Sequence, residues 1–159
     1  MKENDGARVE QMYFEDFKPG DRYESPPRTL TEEQFRGFAD LTGDDHPIHY
    51  DLDYCRRRGH PERLAHGLLN TAHTVLGAST LAPRVHDCML AFLEQSSRFL
   101  RPAYLGDTLH PSLTVEELKP QRTTGLLTLR SELRNQRGEV VLEGRHTYLI
   151  KRRRPEGVE

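Results

Sequence analysis

The sequence is poor in the features that place many chains at a glance. Two cysteines, Cys55 and Cys88, stand among 159 residues without CxxC spacing. That is too few for a disulfide framework and the wrong arrangement for a zinc ribbon, so both read as free thiols of a reducing compartment. An excess of one charge is missing too. There are 23 Lys+Arg against 25 Asp+Glu, a net charge of −2 with histidine neutral. Such a balance exerts no global pull toward nucleic acid or an anionic membrane. No apolar run approaches the roughly 18–20 residues of a membrane span, and the opening "MKENDGARVEQ" has no signal-peptide-like apolar segment. Internal repeats, low-complexity tracts and interdomain linkers are absent as well. The expectation is a cytoplasmic protein of one domain, long enough to enclose a core. A hydrophobic content of 35% is low and leaves room for a core completed by a partner chain.

Residues 1–11 and 152–159 are polar and aperiodic and are expected to be flexible, which leaves 12–151 as the domain. The basic "KRRR" at 151–154 suits either a phosphate partner or the charged end of a last strand. "TLTEEQFRGFADLTG" marks a helix at both ends. Thr31 is its N-cap, Gln34 completes a capping box, and Gly43 suits a left-handed stop. Phe35, Phe38, Ala39 and Leu41 or Thr42 supply its apolar face. A short helix follows in "DLDYCRRRG", ending at Gly59. A longer one is expected from Gly67 to Pro83, weakly amphipathic and therefore buried on several sides. Beyond Pro83 the pattern becomes strand-like in "CMLAFLEQSSRFL", "DTLHPSLTVEEL", "TTGLLTLRSELRN" and "EVVLEGRHTYLI", separated by turn-like segments. Four such strands predict an antiparallel meander, with a further edge strand between Tyr13 and Leu30. The class is α+β, with a long sheet wrapped around the 67–83 helix.

The chemistry concentrates in "TGDDHPIHYD", residues 42–51. Pro47 disfavours helix at His46 and shapes the segment into a loop. Such a loop can bring Asp44 and His49 to one water. A carboxylate and an imidazole astride a water suit general acid–base work, one taking a proton while the other gives one. Read locally instead, Asp44 caps a turn and His49 bonds to backbone. Eighteen residues after His49, "LAHGLLN" opens the 67–83 helix at Gly67. The free N–H at a helix start, with no Cβ beside it, can receive a carbonyl oxygen that gains negative charge. The alternative is an ordinary glycine near a helix start. Acid, base and oxyanion donor together fit the addition of water to a carbonyl-conjugated double bond.

These stretches resemble a known family. "TGDDHPIHYD" is similar to the G-D-x-N-P-[IL]-H signature of the MaoC-like dehydratases, which include the (R)-specific enoyl-CoA hydratases. "LAHGLL" resembles the family's His-Gly segment, and "FLRPAYLGDTL" its P-x-x-x-G-D-T-L strand pair. The resemblance covers roughly residues 12–151. It implies a hot-dog fold, usually dimeric, with the active site near the subunit interface, and a substrate carried on coenzyme A or a similar pantetheine thiol. Asp44 and His49 would hold the catalytic water, with Asp44 as base and His49 as proton donor or the reverse. The Gly67 N–H would take the thioester oxygen. His46, Pro47, His66, Asn70 and Thr71 would border the substrate. No redox cofactor or metal is implied, coenzyme A being the acyl carrier.

The match departs at His46, where the signature has Asn, and in the helix, where Asn70, Thr71 or Thr74 stands in for a family serine. Polar groups there favour a short, functionalised acyl chain. The arginines of "CRRRGHPER" suit coenzyme A phosphates or a solvated basic face. A metal held by Asp44, His46 and His49 lacks an established spacing. A thioesterase of the same fold and a non-catalytic acyl-CoA binder are the competing readings.

Overall fold

A computed structural model describes residues 9–153, so most of the two termini expected to be flexible lies outside the described residues. The helix marked at both ends forms as α1 (Glu32–Thr42). The Gln34 N–H donates to Thr31 Oγ1 at 3.3 Å, and the Thr31 N–H donates to Gln34 Oε1 at 3.4 Å. Gly43 stops the helix at φ 77°, its N–H donating to the Ala39 carbonyl. Phe35 is buried and Phe38 half-buried, whereas Leu41 faces outward. The short helix α2 (Leu52–Arg57) is capped by Asp51, which accepts from the Tyr54 N–H, and turns away at Gly59 with φ 84°.

The third helix differs from expectation. It runs only from Gly67 to Ala72 (α3) and gives way to isolated 3-10 turns at Leu76–Ala78 and Ala82–Arg84. Val75 is extended, with φ −60° and ψ 135°. The Thr74 hydroxyl donates to the Thr71 carbonyl, a local bond that competes with the helical ladder. Gly77 and Pro83 then weaken any continuation. Nor is the segment buried all round: Leu69, Asn70, Thr74 and Leu76 are buried, but Leu68 is 68% exposed and Val75 48%.

The sheet contains β1 (Arg22–Glu24), β2 (Arg28–Thr29), β3 (Met89–Phe99), β4 (Thr108–Pro120), β5 (Thr124–Arg134) and β6 (Val140–Lys151). It is antiparallel in the order β1-β4-β5-β6-β3, with β2 also on β4. Among the described strands only β4, β5 and β6 form a meander. The simple four-strand meander is corrected at β3, which pairs along β6 at the far edge instead of beside β4. Segment 100–107 between β3 and β4 is tied to other elements: Leu100 N–H donates to Val141, Ala103 accepts from Ala65, and Gly106 donates to Leu30. It therefore crosses the end of the sheet instead of turning tightly. The result is the hot-dog arrangement, a curled sheet around a short helix.

Two apolar clusters fill the concavity. One gathers Phe14, Tyr23, Leu76, Leu113, Leu127 and Ile150, and the other Leu30, Phe35, Leu69, Leu109, Leu133 and Leu142. The second holds α1 and the start of α3 against the sheet, and so fixes the two segments that carry the chemistry. Of the basic "KRRR", Arg152 pairs with Glu15 and Arg153 with Asp16, the charged strand-end reading. Cys88 lies in the core, where burial pushes its thiol up to about 11, and Cys55 is also buried and free.

Candidate active site

The loop after α1 is shaped by its own side chains. Asp44 Oδ1 accepts from the His46 N–H at 3.4 Å, and His46 Nδ1 accepts from the Ile48 N–H at 3.2 Å. Pro47 then opens a 3-10 turn, Pro47–His49. His49 Nδ1 lies 2.7 Å from the Leu64 carbonyl. A carbonyl only accepts, so Nδ1 carries the proton and Nε2 is the one reactive nitrogen. His46 and Pro47 are exposed, and the His46 ring stands edge-on to Tyr54. His46 thus supports the loop locally through its ring nitrogen.

His66, the residue before Gly67, completes the cluster. Its Nε2 lies 3.2 Å from the Asp44 carbonyl and 3.1 Å from the Tyr50 hydroxyl. Tyr50 gives its own proton to the Phe35 carbonyl at 2.7 Å, so His66 Nε2–H donates to both oxygens. Its Nδ1 is then an acceptor, buried and without a partner. Burial, and secondarily the nearby His49, lowers the His66 pKa, which keeps this imidazole neutral. Its ring stacks on His49 at 3.8 Å and 25°.

A carboxylate oxygen of Asp44 and one ring nitrogen each of His49 and His66 lie within 4.8 Å of one another. Carboxylate and two imidazoles are a possible ligand set for a metal, but the stack argues against a shared ion. A metal sits in the plane of each imidazole that binds it, at about 2.0–2.1 Å. Planes stacked 3.8 Å apart and tilted by 25° meet far outside that distance. A water is held without that constraint.

Gly67 opens α3 beside this cluster, where its N–H has no carbonyl within the helix. A Cβ added there would approach Phe99 Cζ to 3.1 Å. The Phe99 ring of β3 therefore lies against the glycine. Asn70 is buried, and Thr71 is half-buried with its hydroxyl near both the Gly67 carbonyl and Ser97 Oγ. Of the nearby arginines, Arg63 pairs with Glu32 and Glu62, Arg56 reaches Asp53, and Arg58 covers the Tyr54 ring. Sequence reasoning missed Tyr50 and Phe99. The place of Tyr50 directly after His49 was the only available signal, and Phe99 comes from a distant strand.

The fold and this loop together define a hot-dog protein with a carboxylate–histidine site. A model of the MaoC like domain matches residues 16–136, and the chain belongs to that family. It is 31% identical over 138 residues to an (R)-specific enoyl-CoA hydratase of Rhodospirillum rubrum, covering 87% of this chain and 91% of that one. A 3-hydroxybutyryl-CoA dehydratase of Methylorubrum extorquens is 30% identical over 133 residues, covering 84% and 80%. Among solved structures, a monoamine oxidase regulatory protein from Archaeoglobus fulgius superimposes with a TM-score of 0.85 at 32% identity, covering 92% of this chain and 99% of that one. No helix among the described residues is long and apolar enough to cross a membrane.

Proposed function

We propose that the protein is a hydro-lyase that reversibly adds water to a 2-enoyl-CoA, or equivalently dehydrates a 3-hydroxyacyl-CoA. The approach of Asp44 to His49, whose one free nitrogen is Nε2, carries this reading. The thioester oxygen lies on the Gly67 N–H, and a water lies between Asp44 and His49. Asp44 takes a proton from the water as its oxygen bonds to Cβ. The double-bond electrons move toward the thioester oxygen, where the Gly67 N–H stabilises the growing charge. His49, carrying a proton on each ring nitrogen at this step, gives the one on Nε2 to Cα, and the proton taken up by Asp44 passes back to His49 Nε2 to close the cycle. His66 fixes the Asp44 backbone and carries no proton in the reaction. The two named relatives share this reaction type in their names.

A second copy of the chain completes the site in this reading. Among the described strands β3 pairs only with β6, and it exposes Leu90, Phe92, Leu93 and Phe99 beside the outward-facing Leu68 and Val75 of the α3 region. Contiguous apolar surface on a free sheet edge suits association. Sedimentation should give a dimer, and Leu93→Glu a monomer.

The function is tested with crotonyl-CoA, following the enoyl-thioester absorbance with a thiol reagent in parallel. Loss of the band without thiol release, abolished in Asp44→Asn and in His49→Ala, supports the hydro-lyase. Thiol release selects a thioesterase instead. Tight binding of saturated and unsaturated acyl-CoAs without turnover makes it a binder.

A further inference from the structure

Three of the buried side-chain atoms that lack a hydrogen-bond partner among the described residues are His66 Nδ1, Asn70 Oδ1 and His73 Nε2. Their residues are spaced i, i+4 and i+7, which on a helix is a single face. That face starts at His66, beside the catalytic pair, and runs along α3 to His73, its C-cap, whose φ −70° and ψ −12° continue the helical path. Each buried polar atom left unpaired costs roughly 1–3 kcal/mol, so three in one row mark a surface built for polar company. An alkyl chain laid along it would pair none of the three, whereas a carboxylate can pair His73 Nε2 as a donor; His66 Nδ1 and Asn70 Oδ1 are acceptors and stay free for a water or a hydroxyl.

The far end of the row has a positive charge beside it. Arg28 of β2 stands directly opposite Leu109 of β4, and directly paired residues of an antiparallel ladder share one face of the sheet. Leu109 is fully buried in the cluster that also holds Leu69 of α3, so the Arg28 side chain leaves β2 on the concave face, at its exposed margin. No carboxylate of the described residues pairs with it. Pro26 and Pro27 precede it and restrict the backbone that presents it. Burial, then the charge of Arg28, lowers the His73 pKa. That favours the neutral imidazole, which can donate from one nitrogen to an anion.

We propose that the acyl group of the substrate ends in a carboxylate, received by the Arg28 guanidinium and the His73 imidazole, with Asn70 beside the chain between them. The substrate is then a coenzyme A monothioester of an unsaturated dicarboxylic acid, an assignment that rests on the hydro-lyase reading. His73 lies six positions after Gly67. At 1.5 Å per residue this is about 9 Å, which suits a chain of roughly four to six carbons with a hydrogen bond at each end.

The test compares carboxylated with plain enoyl thioesters on the full-length protein, using glutaconyl-CoA against 2-pentenoyl-CoA and fumaryl-CoA against crotonyl-CoA. The carboxylated member of at least one pair is expected to have a kcat/KM roughly 10- to 100-fold higher, the range of a hydrogen bond to a charged group. Arg28→Gln should collapse that ratio toward one, and Arg28→Lys should restore part of it. Equal rates within both pairs, or an unchanged ratio in Arg28→Gln, overturn the proposal and leave the hydro-lyase standing. If no enoyl thioester is hydrated, the hydro-lyase reading fails by itself. Calorimetric binding of succinyl-CoA and butyryl-CoA then decides the carboxylate site: tighter succinyl-CoA binding that depends on Arg28 supports it, and equal or absent binding refutes it.

Discussion

Gly67→Ala separates the chemistry of this site from its stability. The added Cβ would meet three atoms of the Phe99 ring at 3.1, 3.3 and 3.4 Å. Contacts of this size require the ring to move by a few tenths of an ångström. Phe99 is 52% exposed in the single chain, and although the partner covers that side in the proposed dimer, so small a shift of the ring keeps the steric cost small. Replacing glycine by alanine in a helix interior returns up to about 1 kcal/mol, with less expected at the first helical position. The net change in stability should stay within about 1 kcal/mol. Activity should respond differently. The N–H survives, but a methyl group and a displaced phenyl ring crowd the space through which a thioester oxygen approaches it. Losing an oxyanion donor lowers kcat by roughly 10²–10³. The measurement is crotonyl-CoA hydration beside a thermal melt. Full activity in Gly67→Ala would refute the oxyanion role. A large fall in both Tm and activity would show that the glycine serves packing alone. The double variant Gly67→Ala/Phe99→Ala isolates the ring: recovery there would trace the loss to Phe99 and not to the oxygen's approach.

Other expectations concern the scaffold. His146 is buried between Thr74 and Tyr148, and burial holds its pKa down at about 4. An unfolded imidazole titrates near ~6.5, so the unfolded chain takes up the proton first; this contribution is full above that pH and falls by about 3 kcal/mol as pH drops toward 4. Urea midpoints should therefore decline below neutrality, with His66 and His73 acting in the same direction. His146→Gln should flatten the profile, and greater stability on acidification would contradict it. Thr31→Ala removes the acceptor of the capping box and should cost about 1 kcal/mol in chemical denaturation. At Gly144 a Cβ would fall 2.0 Å from the Ser96 carbonyl oxygen, a backbone atom held within the β3–β6 pairing. Gly144→Ala should therefore cost about 3 kcal/mol or more, and a native-like melt would show that the strands separate more readily than their register implies.

Much of the fold was legible because local chemistry and tertiary demand agreed. Thr31, Gln34 and Gly43 mark α1 by caps that act within a few residues, and β5 and β6 alternate because one of their faces is buried. The errors fall where contacts distant in sequence decide. Nothing local in "CMLAFLEQSSRFL" says that β3 pairs with β6 across the sheet instead of with the strand that follows it. Its exposed Phe92 and Leu93 also blur the two-residue alternation that would have identified a half-buried strand. The short α3 was hidden for a related reason. Leu68, Leu69, Val75 and Leu76 satisfy a helical pattern although Val75 is already extended.

The site divides in the same way. Asp44 and His49 were legible because a stiff Pro47 between them makes a loop whose ends return to each other, a local consequence of the sequence. The part played by His66 was not. Its Nε2 reaches the Asp44 backbone across a separation of 22 residues, and its Nδ1 is left free only because Tyr50 has given its own proton to Phe35. That chain of donors fixes which nitrogen of each stacked imidazole remains available: Nε2 of His49 for the reaction, Nδ1 of His66 for the face of α3. The polar residues that shorten the helix belong to the same design. Asn70, Thr71, His73 and Thr74 are poor choices for a long buried helix, yet Thr71 and Thr74 bond to the sheet and Asn70 and His73 carry buried polar atoms without a partner among the described residues. In a helix required only to fill a core, Leu or Ala would serve better at each position. Their presence is best explained by a polar ligand beside the helix, which is why the carboxylated and plain enoyl thioesters are the decisive pair of substrates.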